Sequence, residues 1–380
     1  MGLLEDIRLS RKPLAGFCAI GVAWAVYFAQ MPVIKAQVGA SDGAYGLAIL
    51  LASFGAFAAM WLAPGARRWF GGSAVPVGIV LVGAGMFWAG ASGSLVALTA
   101  GIFLASVGSG IVDVLVNARV SEIEEDEAAT LMSLNHALYS FAYAGGALVV
   151  AALRTLEIGT LPVSFGLFAV CCALALAGRD KPPPPEPAVK SRDLGQWPVL
   201  VVLVGVIVLI AFLAEASTEG WSALHLERTL GGSAGEGALG PAILGLAMGV
   251  GRLSGHWLSR RFRDTALMLV AALIASSGVA VAAVAPTVTI ALAGFAIAGL
   301  GASVMVPLAF ALLGRMVPAT LRLTAISRAS VIGYGAFFFG PPLMGLVAEG
   351  FGLRMSFVLI AGLLALTAVL LVPALARRSG

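Results

Sequence analysis

Asp113, Asn117, Asn135, His136 and Tyr139 are the residues of this chain whose types and spacing suggest chemistry. All five stand inside apolar stretches, on either side of the acidic segment Ser121-Glu122-Ile123-Glu124-Glu125-Asp126-Glu127. Asp113 lies as far before the middle of that segment as His136 lies after it. If the segment is a turn and the flanks form an antiparallel helical hairpin, both sit roughly 17 Å from the turn at ~1.5 Å per residue. A carboxylate and an imidazole would then face one cavity. A carboxylate that alternates between dry and wet surroundings can load and release a proton, and an imidazole titrates near neutral pH. The two amides and the phenol offer fixed donors and acceptors to a polar solute. The structural alternative is a pair between Asp113 and Arg119, or interhelical hydrogen bonds worth ~0.6–2 kcal/mol each.

A second group of polar residues is scattered through other apolar stretches. Tyr27 and Gln30 are three apart and share a helix face. Glu215 and Glu219 are four apart on one face of a later helix, near its expected end; Glu215 reads as an outer gate and Glu219 as a residue at the membrane interface. Arg252 either meets a carboxylate or anionic solute group as part of a gate, or snorkels towards a basic loop. Tyr334, among glycines, reads as cavity wall.

The elements that must position these residues follow from composition. Hydrophobic residues make up 60% of the 380 and charged residues 11%, against about 45–50% and 25% in soluble domains. With a mean hydropathy of +1.00, the chain is an all-α membrane protein, since ~20 apolar residues cross one bilayer core as a helix. Helices are expected at 13–37, 44–64, 74–92, 95–118, 129–153 and 161–178, then at 198–218, 237–259, 265–285, 288–313, 325–348 and 354–376. The run Pro182-Pro183-Pro184-Pro185-Glu186-Pro187 cannot continue a helix. The domains expected are therefore two six-helix parts, 1–178 and 198–380, joined by a polar cytoplasmic linker at 179–197.

Orientation follows from the basic residues. All but Lys35, Arg154, Arg228 and Arg354 of the 23 Lys and Arg fall on one side if the chain crosses twelve times. That bias puts both termini in the cytoplasm. An internal echo supports the same division: Arg67-Arg68-Trp69-Phe70 is answered by Arg260-Arg261-Phe262, and 193 residues also separate Gly101 from Gly294 and Gly108 from Gly301. Asp113 meets Val306 at that offset, so ion coupling is expected from the first part alone.

Other chemistries lack residues to carry them. The basic residues, with a net charge of +4, form no stripe with aromatics, which argues against nucleic acid as a partner. Cys18, Cys171 and Cys172 make no metal or disulfide spacing and read as packing residues. Gly231-Gly232-Ser233-Ala234-Gly235 matches a nucleophile-elbow pattern but falls in a loop between helices. No His-Glu-x-x-His and no phosphate-binding loop occurs. The chain is not expected to be an enzyme, and no metal or cofactor is expected.

Two six-helix parts, a central linker and paired basic loops resemble the major facilitator superfamily. Within it, Asp113-Val114-Leu115-Val116-Asn117-Ala118-Arg119-Val120 with Leu134-Asn135-His136-Ala137-Leu138-Tyr139-Ser140 is similar to the fucose-permease-related, YbjJ-like transporters of bacterial inner membranes. So are Glu215-Ala216-Ser217-Thr218-Glu219-Gly220-Trp221, Gly251-Arg252-Leu253-Ser254-Gly255, Gly333-Tyr334-Gly335 and Gly340-Pro341-Pro342-Leu343-Met344-Gly345. The resemblance implies a rocker-switch carrier in which Asp113 matches a proton-coupling carboxylate and the first helix lines the cavity, which makes Tyr27 and Gln30 candidate solute-binding residues. It also shows departures. Ala63-Pro64-Gly65-Ala66-Arg67-Arg68 lacks the acid usual after the second helix, and His256 stands where related transporters often have Asp. The function expected is symport of a proton and a small polar organic solute such as a sugar, by a monomer in the lipid bilayer. The alternatives are a proton-driven exporter and a non-transporting receptor on the same fold.

Overall fold

The computed structural model describes residues 3–127, 131–180, 198–259 and 261–379, and its long elements are all helices. Before the linker come α1 (Leu3–Gln37), α2 (Asp42–Phe70), α3 (Ala74–Gly90), α4 (Leu95–Glu127), α5 (Met132–Thr155) and α6 (Thr160–Ala177). After it come α7 (Pro198–Leu224), α8 (Ala234–Ser259), α9 (Asp264–Val284), α10 (Val288–Met316), α11 (Arg322–Phe351), α12 (Leu353–Leu366) and α13 (Val372–Ser379). A π-turn continues α7 through His225–Thr229, and another joins α12 to α13.

Among the described residues, eleven stretches are long and apolar enough to cross a membrane. The longest, Asp42–Gly90, contains both α2 and α3. These two helices pack on α4 in opposite senses: Gly55 and Ala59 of α2 lie against Phe103 and Gly110, whereas Gly78 and Gly85 of α3 lie against Gly108 and Gly101. Large apolar side chains cover the outside, including Trp61, Val96 and Leu176. A surface of that kind is unfavourable in water and suited to lipid.

Several helices outrun their expected bounds. The segment Ser121–Glu127, expected as a turn, forms the last turns of α4. Its glutamates are good helix formers, and Glu122 pairs with Arg119 one turn earlier at 3.0 Å. α2 continues past Pro64 to Phe70, since a proline inside a membrane helix is tolerated where neighbours and local adjustment satisfy the freed backbone. Nor do α4 and α5 form a packed hairpin. α5 lies mainly on α1 and α8, and it meets α4 only locally.

The glycine echo is a packing device. A Cβ on Gly85 would lie 2.6 Å from the Gly101 carbonyl oxygen, and one on Gly278 would lie 2.7 Å from that of Gly294. The same offset carries Ala105 to Ala298 and Ala89 to Ala282, which are the backbone neighbours in each case. Only glycine lets α3 approach α4, and α9 approach α10, this closely. The repeat therefore survives where backbones touch, although the polar residues have diverged.

Candidate functional site

A cavity of about 1130 Å³ lies between the helices before the linker and those after it. Its walls come from α1, α2, α4 and α5 on one side and α7, α8, α10 and α11 on the other. Tyr45 and Trp221 meet edge to face at one end, and Met60, Met132, Asp264 and Arg315 line the other. We call the latter the inner end, because the start of α1 lies on that side, tied by Lys12 to Asp180. The site is large for a drug-sized ligand, for which pockets are typically ~300–1,000 Å³.

Asp113, Asn117 and His136 line this cavity as one hydrogen-bonded chain. The Asn117 amide nitrogen donates to the Asp113 carboxylate at 2.9 Å and to its backbone oxygen at 2.8 Å. The Asn117 amide oxygen lies 3.2 Å from His136 Nε2, an arrangement that makes the imidazole nitrogen the donor. Sequence counting put His136 level with Asp113. The structure joins it to Asn117, one turn nearer the inner end, because α4 and α5 are not a simple hairpin. Phe17 of α1 meets the imidazole edge to face at 5.0 Å.

Arg252 is one of the cations of the cavity wall. Its guanidinium donates to Glu215 at 3.0 Å and to the Ser140 hydroxyl at 2.5 Å, and Ser140 in turn donates to the His136 carbonyl at 3.1 Å. Glu215 and Arg252, read separately as gating residues, are thus one ion pair that reaches α5 across the cavity. Ser140 was missed in the sequence because a serine in an apolar helix gives no signal of its partner.

Tyr139 and Tyr334 also stand on the wall. Tyr334 is stacked on Phe212 with ring centroids 5.7 Å apart. Tyr27, Gln30 and Asn135 are not among the lining residues. Tyr27 is buried, its hydroxyl 2.6 Å from that of Tyr45, and Gln30 is 2% exposed. Asn135 is fully buried and donates to the Leu131 carbonyl. The side chain of His256 lies outside the described residues, as does most of the linker.

Glu219, expected at the membrane interface, instead lines the cavity. The reason is helix length: α7 does not stop near residue 218 but runs to Leu224 and on through its π-turn. The residue is therefore well inside the helix.

The outer end is closed by charged contacts that no sequence motif announced. Asp42 accepts from Arg228 at 2.6 and 2.9 Å and pairs with Lys35 at 2.8 Å. Arg154 pairs with Glu227 at 2.6 Å and donates to the Ala29 carbonyl. Glu349 accepts from the Ser41 hydroxyl and the Gly43 amide. Each set joins residues before the linker to residues after it. The visible signal was the four basic residues assigned outside, three of which, Lys35, Arg154 and Arg228, make these pairs.

The chain was compared with known proteins. It is 29% identical over 364 residues to an uncharacterised MFS-type transporter of Yersinia pestis, covering 92% of this chain and 91% of that one. Its fold resembles a bacterial homologue of the human lysosomal transporter Spinster in an inward-facing and occupied conformation, with a TM-score of 0.76 at 17% identity, covering 99% and 98% of the two chains. It also resembles a D-xylose–proton symporter, with a TM-score of 0.74 at 16% identity and 97% coverage of both. The family model of the Major Facilitator Superfamily matches residues 13–287 and 204–380. A cavity walled by helices from residues 3–180 and from residues 198–379, in a chain matched from Pro13 to its last residue, makes this protein a transporter of the Major Facilitator Superfamily.

Proposed function

We propose that the protein is a proton-coupled symporter of a small polar organic solute, with Asp113 as the coupling carboxylate. The observation that carries this reading is Asp113 on the cavity wall with a neutral amide as its hydrogen-bond partner. Asn117 satisfies one carboxylate oxygen, and among the described residues no cation is bonded to either. An intramembrane carboxylate without a counter-ion is costly to keep, which makes it a functional residue by default. Protonation of Asp113 from the outside favours solute binding; rocking of two six-helix halves, 1–178 and 198–380, then exposes the site inward, where the proton leaves. His136, through Asn117, adjusts how tightly the carboxylate holds its hydrogen bond. Asn117, Tyr139 and Tyr334 contact solute directly. Tyr27, Gln30 and Asn135 hold the helices that bear these residues, with Tyr27 joining the wall when the outer end opens.

This reading takes α2 and α3 as two crossings, since they pack on α4 in opposite senses, giving twelve spans with both termini cytoplasmic in a bacterial inner membrane. The working unit is the monomer, because one chain supplies every wall of the cavity. The blocks around Asp113, Glu215 and Gly333 support placement in the fucose-permease-related branch. A sugar is one solute of suitable kind. The xylose symporter's likeness is one of fold, so the reading rests on Asp113.

Proteoliposomes loaded with a pH-sensitive dye test it across sugars, polyols, nucleosides and small acids. Wild type should acidify with one solute class, and Asp113→Asn should lose uphill transport while keeping solute exchange. Unchanged accumulation in the variant would remove Asp113 from coupling.

A further inference from the structure

The charges on the cavity wall do not balance. Glu215 is matched by Arg252 at 3.0 Å, and Asp264 near the inner mouth is matched by Arg315. Asp113 has Asn117 as its partner. Glu219, like Asp113, makes no ion pair among the described residues, and it makes no hydrogen bond either. Proton coupling through Asp113 needs one carboxylate and gives Glu219 no task.

The carboxylate of Glu219 interacts electrostatically with Tyr139 and Tyr143 and with Glu215 and Arg252, and the residues that follow it in α7 pack on further rings. Its neighbour Gly220 lies against Phe28, with the ring 3.6 Å from where a Cβ would be. Phe28 stacks on Trp24 at 5.5 Å, and Trp221 meets Tyr45 at 5.8 Å. Trp24, Phe28, Tyr45 and Trp221 all line the cavity, so its closed end combines π faces with an acid that has no ion-pair partner among the described residues. Neutral polyols need paired donors and acceptors, of which this end has few. A cation is held by both features at once: by charge at the carboxylate and by the ring quadrupoles.

We propose that Glu219 and the aromatic end of the cavity recognise a protonated amine, so that the transported solute is a small monocationic organic amine. The inference rests on the transporter reading and narrows its solute class. A single unmatched carboxylate at this end selects one positive charge, and the pair Glu215–Arg252 prevents the second acid on the same helix face from adding another.

Isothermal titration calorimetry on the purified full-length protein tests this with matched solutes: glucosamine against N-acetylglucosamine, and 2-phenylethylamine against 2-phenylethanol. At least one amine should bind about tenfold or more tightly than its neutral partner. Glu219→Gln should abolish that difference. Absence of any amine preference in wild type overturns the proposal, as does a preference that survives Glu219→Gln. The wild-type comparison stands even if the variant fails to fold. The readout is binding and not flux, so the two readings fail separately. Amine selectivity alongside unchanged uphill transport by Asp113→Asn removes the coupling role alone. Proton-coupled transport of a neutral solute without amine selectivity removes the amine alone.

Discussion

The two ends of the bundle are held by different bonds. At the outer end Asp42–Arg228, Arg154–Glu227 and the contacts of Glu349 with Ser41 and Gly43 all cross from the helices before the linker to those after it. At the inner end Arg119–Glu122 stays within α4, Lys12 and Arg119 both meet Asp180 at the linker's first residues, and Arg315–Asp264 joins α10 to α9. If the halves rock as rigid bodies, these inner pairs move with their own half and need not break. The outer contacts must break before the outer end can open. The outer network is therefore an equilibrium term between states, whereas the inner pairs belong to the stability of each half.

Asp42→Asn should have the largest effect on this balance. Asp42 is 5% exposed and serves two cations, Lys35 and Arg228, of which Arg228 is 43% exposed and so partly screened. Losing the charge should shift the equilibrium towards outward opening by about 2 kcal/mol, after discounting for that screening. Spin labels at Ala36 and Gly350, exposed on opposite sides of the network, should report a longer distance by double electron–electron resonance. An unchanged distribution would mean that the network does not hold the outer end.

Glu227→Gln sharpens the same comparison with a smaller effect. The amide keeps one acceptor for Arg154, which is also held by the Ala29 carbonyl. The shift should be about 1 kcal/mol in the same direction, read with the same labels. Arg119→Gln should move those labels least. Thermal unfolding should change by no more than ~1 kcal/mol, the usual worth of partly exposed pairs, with the outer distance unaltered. Outer opening in Arg119→Gln as large as in Asp42→Asn would erase the distinction between the two ends.

Much of the fold was legible because lipid imposes one rule: backbone polar groups must be satisfied within each span, so long apolar runs must be helices. Their approximate places and the glycine echo followed. Helix ends were less legible. Glu122, Glu124 and Glu125 look like a solvated turn in composition, yet their propensity and the Arg119 pair continue α4. The misjudged end of α7 had the greatest consequence, because it put Glu219 at an interface and hid a second cavity carboxylate without an ion pair.

What the sequence determined by itself was the class of the molecule and the residues that required explanation. Asp113, Asn117, His136, Glu215, Arg252 and Tyr334 were visible because a polar group in an apolar run is costly and therefore conspicuous. Tertiary structure alone decided how they are joined. Asn117 stands between Asp113 and His136, Arg252 reaches Glu215 and Ser140 together, and Asp42 meets a cation 186 residues away in the chain. The reason is geometric: an apolar segment's helical state is set by its own backbone hydrogen bonds, whereas a side chain's partner depends on the rotation and depth of a helix packed beside it, which distant parts of the chain impose.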